Sequence, residues 1–226
     1  NFTGYLNYSR GNLAGQVAIG DNLLFAPAGP AVITVDDANA GTTTEVNAIK
    51  ISAPETGTTA NYYGIYIGQG NTLRLGKYGA ILKTDLSEDD ITIGGVDGNV
   101  QSVNGEAGSQ NIGTLTAGGA DNTPGEIVMM ANAHDESHGG TIFEAQITDN
   151  GSGKVSFVKM GPGSIKLDGH NTFSGGLYLL QGRVQFAGAE LGTADTTGNP
   201  DGGGTGPIYI LPGAYLTPGG IPAGSR

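Results

Sequence analysis

The sequence predicts an all-β chain wound as a β-solenoid, with a β-sandwich as the other arrangement its pattern allows. Three observations carry this. Apolar residues fall in short runs that alternate with polar ones, the period of a strand with one buried face. The runs often recur about every 8–11 residues. Between them lie Gly, Asn and Asp, which supply the positive φ of sharp corners. Gly alone accounts for 42 of the 226 residues, against about 7% in an ordinary chain.

In chain order, the predicted strands begin with 17–19 (VAI) and 22–25 (NLLF), then the β-branched 31–35 (AVITV) and 48–51 (AIKI). Next come 64–67 (GIYI), then 72–75 (TLRL) and 80–83 (AILK), read as two strands because GKYG separates them. Residues 84–90 are charged but lack an apolar stripe at helical spacing, so no helix is expected there. Strands follow at 91–93, 114–116 and 126–129, and at 142–147 (IFEAQI) as one strand. The last group is 155–158, 164–167, 177–179, 183–186 and 208–210. Alternation places Ile165, Leu167, Leu177, Leu179, Val184 and Phe186 inward, and Lys166 outward.

The solenoid is preferred for three reasons. Its strands are shorter than the five or six residues common elsewhere. Gly or Asn sits at nearly every corner. Residues 71–82 are loosely echoed by 161–167, which suggests repeated rungs.

Composition excludes several classes. The glycines have no three-residue period, so this is no collagen strand. With 10 Lys or Arg against 21 Asp or Glu, the net charge of −11 repels polyanions, and nucleic acid is not an expected partner. There is no Cys, hence no disulfide scaffold. No stretch approaches 18 apolar residues, so no helical transmembrane segment is expected. The start at Asn1, without a basic and then apolar leader, fits a processed or trimmed piece of a larger protein. The whole of 1–226 reads as one solenoid segment.

Within 154–187, Lys159, Gly161, Gly163, Leu167, Gly169, Asn171, Thr172, Phe173, Gly175, Gly176 and Gly182 fall on a recognisable pattern. It resembles an autotransporter-associated β-strand repeat, loosely Leu-x-Lys-x-Gly-x-Gly-x-Leu-x-Leu-x-Gly, then Asn-Thr-Tyr-x-Gly-Gly-Thr, then Gly-x-Leu. Phe173 stands where Tyr is usual and Leu177 where Thr is common. The resemblance implies a right-handed parallel β-helix, secreted and displayed on the cell surface of a Gram-negative-type bacterium like an autotransporter passenger domain. Nothing in the chain resembles the membrane barrel that follows such passengers. Asn171 stands at a corner, where its amide can bond to stacked neighbours.

Candidate chemistry is sparse. His134 and His138 lie four apart, the spacing of a metal pair on a helix, but Asp135 holds the place where a zinc protease needs Glu, and Gly139-Gly140 argues for a polar loop. The doublets Asp36-Asp37 and Asp89-Asp90 invite comparison with the paired acids of glycosidases, yet adjacent residues of a strand face opposite ways. Asp168-Gly169-His170 reads as a corner. Residues 201–207 (DGGGTGP) lack the lysine of a phosphate loop and read as a flexible turn; the most they offer is a structural divalent cation such as calcium. Asn1-Phe2-Thr3 and Asn7-Tyr8-Ser9 match a glycosylation acceptor that a bacterial protein would leave mostly unused. Tyr5, Tyr8, Tyr62, Tyr63, Tyr66 and Tyr78 suit rung-edge packing, or contact with sugars or proteins.

No cofactor and no catalytic residue are expected. The chain reads as a non-enzymatic extracellular structural or adhesive element, associating with itself into a filament or layer or with other surface proteins. A polysaccharide lyase or glycoside hydrolase, or a glycan-binding module, is the alternative.

Overall fold

The computed structural model describes residues 5–8, 11–27, 31–35, 41–52, 63–83, 91–94, 113–132, 140–186 and 202–217. Strands alternate with corners throughout. They are β1 (Tyr5–Tyr8), β2 (Gly11–Asn12), β3 (Asn22–Phe25), β4 (Ala31–Val35), β5 (Thr43–Ile51), β6 (Tyr63–Ile67), β7 (Thr72–Lys83), β8 (Ile91–Gly94) and β9 (Thr114–Ala117). The series continues with β10 (Gly125–Ala131), β11 (Thr141–Phe143), β12 (Gln146–Ile147), β13 (Val155–Met160), β14 (Ser164–Leu167), β15 (Gly176–Leu179), β16 (Gly182–Phe186), β17 (Ile208–Ile210) and β18 (Ala214–Thr217). The described residues contain no helix, and so none that could cross a membrane.

One ten-stranded sheet runs β1-β3-β5-β7-β10-β13-β15-β17, with β9 and β12 beside it. The other, of eight strands, runs β2-β4-β6-β8-β11-β14-β16-β18. The chain passes back and forth between the two sheets as it advances, and every pairing of named strands is parallel. A sandwich is built of antiparallel sheets, so this arrangement is consistent with a solenoid instead. β7 turns a bend within its length: its first half pairs with β9 and its second half with β10.

Parallel stacking in register puts like residues over like and buries them in columns along the axis. One inward column runs Leu23, Ile49, Ile81, Met129, Lys159, Leu179. On the second sheet, Ile33, Ile65, Ile93, Phe143 and Leu167 form another, all fully buried. Phe143 meets Phe157 edge to face at 5.3 Å, and Phe173 lies 6.3 Å beyond Phe157.

Several strand expectations change. Residues 17–19 form no strand. The chain turns twice there, with Gln16 N–H donating to the Leu13 carbonyl and Asp21 N–H to the Ala18 carbonyl, while Asp21 Oδ2 accepts from Ala18 N–H at 2.8 Å. The local turn bonds outcompete a ladder, and Ile19 is left exposed. The two strands expected at 72–75 and 80–83 run on as one, with GKYG bulged between its paired halves: against β5 the register passes from Val46–Leu75 to Ala48–Ala80, and within GKYG Tyr78 and Gly79 pair with β10. The strand expected at 142–147 is two, broken at Glu144-Ala145, where the amides of both residues donate to the Ile93 carbonyl. Phe186, expected inside, is only partly buried.

Candidate functional site

The break at Glu144 creates the most unusual chemistry among the described residues. Glu144 follows the inward Phe143 and turns the corner between β11 and β12. The next rung turns at Asp168, whose N–H donates to the Phe143 carbonyl at 2.8 Å, so the two acidic corners lie on neighbouring rungs. Glu144 is 6% exposed and neither of its carboxylate oxygens has a hydrogen-bond partner. Lys166 Nζ lies 2.8 Å from Asp168 Oδ2, at ion-pair distance though not in hydrogen-bond alignment. Burial pushes the Glu144 carboxyl up to about 7; Asp168 adds to this and Lys166 opposes it. Such an acid can hold a proton at neutral pH, and here it is almost wholly withdrawn from solvent. Strand alternation could not have flagged it, since a polar residue next to the inward Phe143 reads as facing outward.

Lys159 is buried without a carboxylate. It occupies an inward position between Met129 and Leu179, and its ammonium donates to the carbonyls of Met160 (3.0 Å), Gly161 (2.8 Å) and Gln181 (3.2 Å). Burial pushes this ammonium down to about 8. The bonds tie the turn after β13 to the turn before β16, one rung further on.

The other resemblance residues are also spent on joining rungs. Asn171 Oδ1 accepts from Ile147 N–H at 2.8 Å while its Nδ2 donates to the Gly202 carbonyl at 2.9 Å, so one buried amide holds the rungs on both sides. Thr172 N–H and Phe173 N–H both donate to the Ile147 carbonyl. Gly161 and Gly163 lie in the turn between β13 and β14, Leu167 ends β14, Gly169 follows it, and Gly175 and Gly176 lead into β15. Gly182 opens β16 at φ +76°, where a Cβ would stand 2.4 Å from the Gly163 carbonyl oxygen.

Two further polar knots lie outside the resemblance. Arg74 on β7 donates to Glu45 on β5 (Nε–Oε1 2.8 Å), to Asp121, and to Asn150 Oδ1 at 3.2 Å. Burial works against its charge, but the hydrogen bonds to Asp121 and Glu45 outweigh that and hold the guanidinium above its usual range. Asp149 accepts from Val155 N–H, Ser174 N–H and Ser174 Oγ–H at 2.6–2.8 Å.

His134, His138, Asp36, Asp37, Asp89, Asp90 and Tyr62 lie outside the described residues. Among the described residues, no three His, Cys, Asp or Glu come together as a metal site. Residues 202–207 do not stand clear as a free turn. They are packed into the coil, with Thr205 N–H donating to Phe173 and the Gly202 carbonyl bound by Asn171. Tyr78 is exposed beside Lys77, whose Nζ is 5.4 Å from the ring centre. Tyr178 and Tyr209 stack at 4.8 Å and 13°, so each covers a face of the other and a sugar could lie flat only on a remaining outer face. Compared with known proteins, the chain matches no family model, no curated protein and no solved structure.

Proposed function

We propose that the protein is a non-enzymatic structural or adhesive β-solenoid of a bacterial cell surface, its coil a right-handed parallel β-helix. The observation that carries this reading is how buried polarity is used. Asn171, Lys159, Arg74 and Asp149 direct their polar atoms at neighbouring rungs. Polar groups spent on rung-to-rung bonds make a stiff rod and leave little for turnover. The resemblance at Lys159–Gly182 supplies the surface location and the handedness. Net charge −11 favours a rod that resists indiscriminate clumping.

The test pairs shape with chemistry. Small-angle scattering should give an elongated rod, and a screen of neutral and acidic glycans should show neither cleavage nor saturable binding. Turnover of any glycan would overturn the reading in favour of a polysaccharide lyase or hydrolase. Binding without turnover would replace it with a glycan-binding module.

A further inference from the structure

Lys166 and Asp168 stand two residues apart at the end of β14, with the buried Leu167 between them. Residues two apart on a strand share a face. The lysine stem lies along that face, bringing Nζ to 2.8 Å from Asp168 Oδ2. The two side chains are only 27% and 14% exposed, and Oδ2 itself is buried without an aligned hydrogen bond. This is no loose surface pair. The carboxyl carbon is one bond beyond Oδ2, which puts nitrogen and carbon within reach of the near-attack range of about 3–3.5 Å.

The corner that carries Asp168 is clamped. Asp168 N–H and Gly169 N–H both donate to the Phe143 carbonyl, at 2.8 and 3.2 Å. A Cβ at Gly169 would stand 2.3 Å from the Ala145 carbonyl oxygen and 3.1 Å from that of Glu144. The corner therefore rests on the backbone of Glu144, whose two carboxylate oxygens are buried and lack hydrogen-bond partners. Both members of the pair act on this acid, Asp168 disfavouring its charge and Lys166 favouring it.

We infer that Lys166 and Asp168 condense to an intramolecular amide, Nζ to Cγ, with Glu144 relaying the proton between them. Glu144 in its acid form protonates the Asp168 carboxylate and takes a proton back from the Lys166 ammonium. The neutral amine then attacks Cγ. The adduct expels one carboxyl oxygen as water, which leaves with a second proton from the nitrogen, and Glu144 ends as it began. In sum, one ammonium and one carboxylate become one amide and one water, with nothing oxidised or reduced. Replacing two partly buried charges by a neutral group favours the product, and a fixed approach favours the rate. The inference goes beyond the scaffold reading and does not depend on it.

Trypsin tests the bond, because it cuts after a free lysine and not after an acylated one. Denatured and digested, the unjoined chain yields 160–166 (MGPGSIK) and 167–183 (LDGHNTFSGGLYLLQGR). The joined chain yields a single peptide, 160–183, one water lighter than that sequence. Intact mass should fall short by the same one water. Lys166→Arg keeps the positive charge and should restore the full mass. Glu144→Gln, with an unchanged circular dichroism spectrum, should restore it as well and return the two short peptides. Full mass in the native protein, with complete cleavage after Lys166, would overturn the inference and leave an ordinary ion pair. A missing water that persists in Lys166→Arg, with cleavage at 166 intact, would overturn it in favour of a cyclic imide at Asp168-Gly169. A joined peptide that survives Glu144→Gln would overturn the relay.

Discussion

Glu144 and Lys159 are buried with opposite charge, and they make stability depend on pH in opposite directions. For Glu144, the folded carboxyl near 7 holds its proton between pH 4.5 and 7 while the unfolded one has lost it. The folded state binds more protons there, so stability falls as pH rises through that window, by about 3 kcal/mol at most. For Lys159 the folded ammonium near 8 loses its proton before the unfolded one near 10.5. The unfolded state then binds more protons, and stability rises from pH 8 to 10.5, again by at most about 3 kcal/mol; the three carbonyls that bind the charged form work against this. Urea unfolding across pH 4–11 should therefore show a minimum near neutrality. Glu144→Gln should flatten the acid limb and stabilise the protein at pH 8, and Lys159→Met should flatten the alkaline limb. A wild-type profile flat across both windows would contradict both assignments.

At the level of the element, corners decide more than strands. Gly182→Ala meets two penalties: a left-handed φ, costing about 1 kcal/mol, and carbonyl oxygens at 2.4 and 2.6 Å from the new Cβ. Gly15, at φ +71° with nothing within 4 Å, faces only the first. Thermal unfolding should rank Gly182→Ala well below Gly15→Ala, by about 2 kcal/mol or more. Asn171→Ala leaves the Ile147 N–H and Gly202 carbonyl without their partner and should cost about 2–4 kcal/mol. Strands with three or more alternating residues, such as β4, β14 and β16, were legible because period two is a local property. β1, β2 and β18 were not, since a two-residue bridge or a segment such as AYLT is held by pairing with a neighbouring rung. Residues 17–19 misled for the converse reason: the alternation is apolar enough for a strand, but Asp21 ties the amide of Ala18 into a turn.

Across the whole molecule, stability in a stacked coil is a sum of rungs and the interfaces between them. Phe143→Ala, at a fully buried site in the middle of a column, should cost about 3–5 kcal/mol. Hydrogen exchange should be slowest in β7, β10 and β13 and fastest in β17 and β18. Equal protection along the axis in dilute, low-salt solution would contradict a linear coil.

The amino-acid sequence alone determined that the chain is all β, that Gly and Asn mark its corners, and that acid outweighs base. These follow from local alternation, backbone freedom and composition. It also picked out Lys159 and Asn171, through spacing in the repeat-like block. Only the tertiary structure decided that Lys159 is sealed under three carbonyls, that Glu144 loses its water beside Asp168, and that Ile208 and Ile210 are exposed while Leu177 and Leu179 beneath them are buried. Burial belongs to the neighbouring rung, and that neighbour lies tens of residues away along the chain, beyond the reach of any local pattern.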